Sequence, residues 1–251
     1  MIYAVGDIHG RFDEWIQMKN RIESEDPDAT FILVGDIEDR GPKPCEMIRW
    51  AMGNITIDGK YQMIKGNHED GKISWWRRVK NYAEYDKVNL NNFCYTSYII
   101  EQYGFDQYMW DSGVSSAEME KIIVWMDNLP YYKDIDVNGQ RFIIVHANMY
   151  HTFFVNGKIK ENLRNVEKEF ILWDRNSDGF YDVDAILING HTPTIFDEAF
   201  PYNVDKKYGK ILETHNRFNI DCGAGYIGVR KEANLAILCL DNLKEYYLRE
   251  I

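Results

Sequence analysis

Short apolar runs in the first third of the chain end at, or just before, a glycine that is followed by a polar residue. Residues 2–5, 30–34 and 61–64 are such runs, and each predicts a buried strand. Between them, residues 11–23 and 44–52 carry apolar side chains at helical spacing, with Pro44 near the first turn. Strands that alternate with helices predict parallel pairing through right-handed crossovers, and therefore an α/β fold.

The second half of the chain is richer in strand patterns. Residues 142–145, 185–188 and 218–220 are apolar runs that end in polar loops. Residues 235–240 and 246–248 predict a closing antiparallel hairpin around Asp241 and Asn242. Ligands of open α/β sheets collect beyond the carboxyl ends of the strands, so we expect the polar loops to meet there.

The middle of the chain, about residues 70–128, has a mainly helical pattern. Ser115 with Glu118 three residues later predicts a capping box that opens a helix to Asn128, and Pro130 follows that helix. We expect this segment to pack as a helical cap or flank on the sheet. Further on, residues 174–179 resemble the start of a calcium loop, but Ala185 occupies the twelfth position, so we predict a plain turn.

Composition narrows the classes of partner. The chain has 251 residues and a net charge of -11, so an extended nucleic-acid surface or an anionic membrane surface is disfavoured as a partner. No apolar run approaches the length of a membrane span. The four cysteines form no C-x-x-C pair, which predicts free thiols and a cytoplasmic protein.

Five loops at predicted strand ends carry the candidate chemistry. They read G-D-I-H-G from Gly6, G-D-I-E-D-R-G from Gly35, G-N-H-E from Gly66, H-A-N from His146 and G-H-T-P from Gly190. Carboxylates, imidazoles and an amide oxygen suit Mn²⁺, Fe or Zn²⁺ better than Ca²⁺, which prefers oxygen alone. This number of ligands favours a pair of bridged metals, since a single-metal site would leave several loops without a role.

These five motifs, in this order, resemble the calcineurin-like metallophosphoesterases. G-D-x-x-D-R-G and G-N-H-E narrow the resemblance to the phosphoprotein phosphatase branch, which includes bacterial and phage serine/threonine phosphatases and symmetrical diadenosine tetraphosphate hydrolases. The resemblance covers residues 6 to about 223. It implies one metallophosphoesterase domain over residues 1–251, built as a β-sandwich of two mixed sheets flanked by helices, with the helical segment at about residues 70–128.

The resemblance also implies a role for each motif residue. Two divalent metal ions, with Mn²⁺ the first choice and Fe or Zn²⁺ the alternatives, would be held by Asp7, His9, Asp36, Asn67, His146 and His191. Asp36 would bridge the two ions. His68 would be the general acid and Asp39 would orient it, whereas Arg40, Asn67 and Arg175 would contact the phosphate.

The chemistry that follows is hydrolysis of a phosphomonoester by in-line attack of a metal-bridging hydroxide. A histidine held by a carboxylate would protonate the leaving alkoxide, a contribution typically of ~10²–10⁴-fold. The chain departs from the family pattern at Asn148, at Cys222 and at Glu38, which stands where an apolar residue is common. We expect the charge of Glu38 to repel acidic substrates.

Three functions remain open on the sequence alone. The first is a phosphatase acting on phosphoserine and phosphothreonine in proteins or on small phosphoesters. The second is a symmetrical dinucleoside polyphosphate hydrolase, which would share the same metal residues. The third, a metal-bound adaptor without turnover, is disfavoured because all six ligands and His68 are present.

Overall fold

Two five-stranded sheets pack face to face and form the centre of the molecule. The computed structural model describes residues 1–85, 113–175, 184–196 and 208–249, and the side chains of residues 1–81 within the first range. The described helices are α1 (Phe12–Glu25), α2 (Pro44–Asn54), α3 (Asn67–Tyr85), α4 (Ser116–Asp127) and α5 (Asn165–Trp173). None of them is both long enough and apolar enough to cross a bilayer.

The first sheet contains the amino-terminal strands and the closing hairpin. Its strands are β1 (Ile2–Val5), β2 (Thr30–Leu33), β3 (Tyr61–Met63), β11 (Ala236–Cys239) and β12 (Glu245–Tyr247), in the order β12-β11-β1-β2-β3. β1, β2 and β3 are parallel, whereas β11 is antiparallel to both β1 and β12. The loops after β1, β2 and β3 therefore leave the same edge.

The second sheet repeats this arrangement with three parallel strands at its centre. Its strands are β4 (Tyr132–Val137), β5 (Gln140–Val145), β8 (Ile186–Asn189), β9 (Leu212–Thr214) and β10 (Arg217–Asn219), in the order β4-β5-β8-β10-β9. β5, β8 and β10 are parallel, and β4 and β9 are antiparallel edges. A separate hairpin joins β6 (Phe154–Val155) to β7 (Lys158–Ile159).

Alternation of side chains along the strands divides the core into layers. In β1, Tyr3 and Val5 face α1 and α2, whereas Ala4 faces the second sheet. In β5, Ile144 packs between the sheets while Ile143 packs toward α5. Successive residues of a strand point to opposite faces, so each buried strand contributes to two layers. The order is helices, sheet, sheet, helix.

The helical flank rests on α2. Apolar side chains of α3 and α4, among them Trp76 and Met119, form a cluster with Cys45 and Ile48 of α2. Ser115 accepts a hydrogen bond from the Glu118 amide at 3.1 Å, which confirms the predicted cap. Only half of the predicted box forms, because the Glu118 carboxylate binds Arg49 at 2.7 Å instead of reaching back to Ser115.

The sequence patterns locate most of the described elements. The predicted α/β class and the two mixed sheets with flanking helices are confirmed. The patterns did not reveal β4, β6, β7 and β9, which lie at sheet edges or in the separate hairpin. Cys45, Cys222 and Cys239 are free thiols as predicted. Cys94, residues 86–112 of the predicted helical segment and residues 176–179 of the predicted turn at 174–179 lie outside the described residues.

An aromatic cluster on β2 provides a test of the core. Phe31 is fully buried, with ring centroids 5.5 to 5.7 Å from Tyr3, Trp15 and Tyr61. We predict that Phe31→Ala lowers the free energy of unfolding by about 3–5 kcal/mol, because it removes apolar contacts and leaves a cavity. Urea unfolding followed by circular dichroism measures the change.

The control for Phe31→Ala is Ile57→Ala. Ile57 is 72% exposed, so its truncation should change the free energy of unfolding by less than about 0.5 kcal/mol. Equal losses for the two variants would contradict the assignment of Phe31 to the core.

Candidate metal centre and active site

All five motif loops meet at one edge of the sandwich. Asp7, Asp36 and Asn67 follow β1, β2 and β3, while His146 and His191 follow β5 and β8. The two sheets are joined at this edge, because His146 Nδ1 donates to the carbonyl of Val34 at 2.8 Å. Residues from chain segments more than 180 positions apart thereby share one buried site, as the sequence predicts.

The backbone is strained where it presents these side chains. Residues His9, Asp36, Asp39, Arg40 and His191 all have positive φ, between 48° and 72°. Non-glycine residues rarely adopt this conformation, and it persists only where the surrounding structure enforces it. Five such residues lie in the motif loops, where the fold holds the backbone against its local preference.

Two glycines allow the loops to approach each other. A Cβ on Gly66 would lie 2.2 Å from Asp36 Oδ1 and 2.4 Å from the Asp36 amide nitrogen. A Cβ on Gly190 would lie 1.9 Å from Asp7 Oδ1. All three distances are far below van der Waals contact, so any side chain at these positions would displace the carboxylates of the site.

Glu69 connects the second loop to the third. Its buried carboxylate accepts hydrogen bonds from the backbone amides of Asp36, Ile37 and Gly66 at 2.9, 3.1 and 2.8 Å. Sequence reasoning assigned no role to this residue, although it is the fourth letter of G-N-H-E. The three bonds set the distance between Asp36 and the start of α3, which carries Asn67 and His68.

Asp36 lies between two groups of side chains that can bind metal. One group is His9, Asp36 and His68, and the other is Asp36, His146 and His191. Within each group the candidate ligand atoms lie within 4.8 Å of one another. Both groups contain Asp36, and the first group also contains His68, for which the family resemblance implies the role of general acid.

In each of three histidines, one ring nitrogen contacts a backbone carbonyl oxygen. His9 Nδ1 donates to Glu38 O at 2.8 Å, His146 Nδ1 donates to Val34 O at 2.8 Å, and His191 Nε2 contacts Trp173 O at 3.3 Å. Such bonds direct the other ring nitrogen of each histidine toward the site. Metal-binding histidines in proteins are oriented in the same way.

Asn67 joins the His146 and His191 rings. Its Oδ1 lies 2.8 Å from His146 Nε2 and 2.8 Å from His191 Nδ1. Two imidazole nitrogens and an amide oxygen thus converge on one point beside Asp36, whose Oδ1 is 3.4 Å from His146 Nε2. Asp36, Asn67, His146 and His191 are the residues that the family resemblance implies for a second metal.

Charge at the site is balanced around Asp36. Burial alone would raise the pKa of Asp36, but the charges of His146 and His68 outweigh it and hold this pKa well below its usual range. Burial likewise opposes a charge on His146, yet the Asp36 carboxylate raises the pKa of His146 to about 10. Asp36 therefore stays ionised and attracts positive charge.

Asp7 contributes a second buried carboxylate. Its Oδ2 accepts from the His191 amide at 3.0 Å, while its Oδ1 is buried without a hydrogen-bond partner among the described residues. Asp7 lies outside both groups of candidate ligands described above. Burial and the nearby charge of Asp221 raise the pKa of Asp7 well above its usual range.

The donor set fits divalent cations. A buried carboxylate oxygen without a partner is costly unless a proton or a cation compensates it. The site combines that oxygen with histidines oriented by backbone carbonyls and with a shared, ionised Asp36. Nitrogen and oxygen ligands in this mixture suit first-row transition metals such as Mn²⁺, Fe and Zn²⁺.

His68, a member of the first group, forms a dyad with Asp39. His68 Nδ1 lies 2.7 Å from Asp39 Oδ2, and the His68 amide donates to Asp36 Oδ1 at 2.9 Å. Burial lowers the pKa of His68, but the charges of Asp36 and Asp39 more than reverse this effect, so the pKa is raised overall. The dyad orients the His68 ring, whose Nε2 lies 3.1 Å from Arg40 Nη2.

The two predicted phosphate-binding arginines differ in position. Arg40 places Nη1 at 3.0 Å from His9 Nε2 and Nη2 at 3.1 Å from His68 Nε2, and its guanidinium stacks 5.5 Å from the Tyr226 ring centroid. Arg40 is therefore at the centre of the site. Arg175 Nη1 contacts His191 O at 3.4 Å and Thr192 Oγ1 at 3.3 Å, so it borders the His191 loop.

The expectation for Glu38 was wrong. Its side chain is fully buried, and its carboxylate pairs with the ammonium of Lys72. A neutralised, buried carboxylate does not face a substrate, so it cannot repel one. The sequence pattern also missed Asp221, a buried residue next to Asp7 that accepts from the Gly223 amide at 2.9 Å; its position after β10 was the available signal.

Curated proteins similar to this chain include symmetrical bis(5'-nucleosyl)-tetraphosphatases. One curated relative, a symmetrical bis(5'-nucleosyl)-tetraphosphatase of Buchnera aphidicola, is 24% identical over 148 residues, or 59% of this chain and 44% of that protein. The chain thus spans less than half the length of the curated relatives it matches first.

Two solved structures share the fold. A putative diadenosine tetraphosphatase superposes with a TM-score of 0.58 at 12% identity, covering 98% of this chain and 91% of that one. A serine/threonine phosphatase from Saccharomyces cerevisiae gives 0.57 at 13% identity, covering 100% and 80%. Identities this low establish the common fold alone.

The family assignment rests on a match that covers most of the chain. Residues 1–222 match the calcineurin-like phosphoesterase family, and this range includes all five motif loops and the strands that carry them. The convergence of those loops on Asp36 is the geometry that the motifs predicted. This chain therefore belongs to the calcineurin-like phosphoesterases.

Proposed function

We propose that this protein is a phosphatase that uses two divalent metal ions, preferably Mn²⁺, to hydrolyse phosphomonoesters. The single observation that carries the proposal is the position of Asp36 between two sets of histidines, with the His68–Asp39 dyad beside it. Both sheets contribute to this site, which supports reading the chain as one catalytic domain.

The residues that would hold the metals follow from the two groups. His9 and Asp36 with Asp7 would hold one ion, and Asp36 with Asn67, His146 and His191 would hold the other. Bound divalent metals supply Lewis acidity and lower the pKa of coordinated water. The protein's own residues position the ester, neutralise its charge and move the proton.

Arg40 is placed to bind the phosphate. Its guanidinium lies between His9 and His68, and stacking on Tyr226 restricts it to this position. Arginine can give two parallel hydrogen bonds to phosphate oxygens. Arg175 and Asn67, at the opposite side beside His191, would complete the phosphate contacts.

The His68–Asp39 dyad favours a monoester substrate with an alcohol leaving group. An alkoxide, as in phosphoserine, leaves poorly unless it is protonated during the reaction. Cleavage of a dinucleoside polyphosphate releases a phosphate group, which leaves more easily without a proton. An oriented acid therefore has most effect on phosphoserine and phosphothreonine, the substrates that we propose first.

The second candidate is symmetrical hydrolysis of dinucleoside tetraphosphates. It is favoured by the curated relatives, since several of those matching the chain carry that activity in their names. Measuring kcat/KM of Mn²⁺-loaded protein on a phosphoserine peptide and on diadenosine tetraphosphate decides between the two candidate functions. A kcat/KM for the tetraphosphate more than about tenfold above that for the peptide would favour the second candidate.

Removal of Asp36 should abolish both metal binding and turnover. We predict that the wild-type protein binds two Mn²⁺ ions and releases phosphate from p-nitrophenyl phosphate, and that Asp36→Asn lowers kcat by at least about 10²-fold, because Asp36 serves both ions. Mass spectrometry of bound metal and a phosphate-release assay measure the two effects.

The matched control is Asp58→Asn, because the Asp58 side chain is 90% exposed and Asp58 belongs to none of the motif loops. It should behave as wild type. An Asp36→Asn protein that kept its metals and its activity would rule out the proposed centre.

Removal of His68 should impair proton donation without loss of metal. We predict that His68→Asn lowers kcat on a phosphoserine peptide by ~10²–10⁴-fold and has a smaller effect on p-nitrophenyl phosphate, whose leaving group needs no proton. His68 also lies near His9 and Asp36, so it could act as a metal ligand or as the general acid. Metal content measured on the same samples distinguishes these two roles.

Loss of one ion from His68→Asn would show that His68 is a ligand instead of the acid. His151→Asn is the control, since His151 is exposed and opens a short 3-10 helix outside the five motifs. It should retain both metal and activity.

A further inference from the structure

A buried ion pair lies behind the His68–Asp39 dyad. Glu38 is fully buried, the Lys72 side chain is 5% exposed, and the Glu38 carboxylate pairs with Lys72 Nζ. Lysine and glutamate are rarely buried to this extent, and two buried charges gain stability only when they are well paired. An apolar pair of similar size would fill this space at lower cost, so a role beyond packing is indicated.

The pair is connected to the dyad through Asp39. Lys72 Nζ lies 3.4 Å from Asp39 Oδ1, and His68 Nδ1 lies 2.7 Å from Asp39 Oδ2. Lys72 and His68 are four residues apart in α3, so both side chains project from one face of the helix. The two oxygens of Asp39 are thereby held separately by residues of a single helical turn.

We propose that Lys72 is a positioning residue for the general acid: anchored by buried Glu38, it fixes the Asp39 carboxylate and thereby the ring of His68. The proposal rests on the acid role of His68 proposed above. Lys72 touches neither substrate nor reacting atoms in this arrangement, and it acts only through Asp39.

The physical reason for the anchor is the flexibility of lysine and the exposure of Asp39. The Asp39 side chain is 27% exposed, so a lone lysine at its surface would exchange with water and retain many rotamers. Glu38 holds the ammonium from the buried side and removes that freedom. The ammonium also separates two adjacent carboxylates, Glu38 and Asp39, which would otherwise repel each other.

Loss of the Glu38–Lys72 pair should slow the step in which His68 protonates the leaving group. If the Asp39 carboxylate rotates, the His68 ring moves with it, and a misplacement of ~1 Å can cost ~10²-fold in rate. Substrates whose leaving groups need no proton should be much less sensitive. Leaving-group dependence therefore separates positioning from a general loss of structure.

The test uses two variants and a control. Lys72→Met leaves the buried Glu38 charge without its partner, so the melting temperature should fall. Glu38→Met/Lys72→Met replaces the pair with apolar groups of similar size, which should restore the melting temperature. Lys80→Met is the matched control, because Lys80 lies on the same helix but binds Glu120 at 2.9 Å with 41% of its side chain exposed.

Kinetics on Mn²⁺-loaded proteins provide the first readout. In the double variant, kcat on a phosphoserine peptide should fall about 10- to 100-fold, whereas kcat on p-nitrophenyl phosphate should fall only about threefold. KM values and metal content should stay within about twofold of wild type. Equal effects on the two substrates in the stable double variant, or none, would overturn the positioning role.

The second readout does not depend on turnover. In metal-free protein, the Nδ1 proton that His68 shares with Asp39 should give a downfield, slowly exchanging proton NMR signal. That signal should be lost in Glu38→Met/Lys72→Met and retained in Lys80→Met. Its persistence in the double variant would overturn the proposal even if the wild-type protein hydrolysed neither substrate, an outcome that would count separately against the proposed function.

Discussion

The buried carboxylate of Asp36 is the interaction on which the rest of the site depends. It lies in the loop that follows the buried strand β2 and stands between histidines contributed by the other loops. A carboxylate without water is tolerated only where positive charge or hydrogen-bond donors surround it. That requirement draws the His9, His68, His146 and His191 loops toward one point and favours the binding of cations there.

The two sheets make this convergence possible. In each sheet three parallel strands end at the same edge, and face-to-face packing brings the two edges together. Hydrogen bonds then set the spacing: His146 bonds across the sandwich to Val34, and Glu69 ties the second loop to the third. Positive φ angles at Asp36 and His191 show that the fold holds these loops against their local preference.

The site is asymmetric, and this asymmetry bears on its chemistry. Near His146 and His191 the side chains are of the kinds that bind metal ions, with imidazole and amide atoms converging on one point. Near His9 the arrangement adds Arg40 and the His68–Asp39 dyad, which suit phosphate binding and proton donation. Behind that dyad, the Glu38–Lys72 pair places further buried charge beside Asp39.

The sequence by itself determined the strand-ending loops and their chemistry. Apolar runs that stop at Gly6, Gly35 and Gly66 predicted both the parallel strands and the side chains beyond them, because burial requires apolar residues and sharp turns require glycine. Edge strand β4 was missed, since its partly exposed residues do not form an apolar run.

Only the tertiary structure decided which groups meet. It showed that Glu38 is neutralised inside the protein, that Lys72 reaches Asp39, and that Asp221 lies near Asp7. These contacts join residues distant along the chain, or neighbours whose side chains point into different environments. Their pairing depends on packing between elements, and local patterns of hydrophobic and polar residues do not encode it.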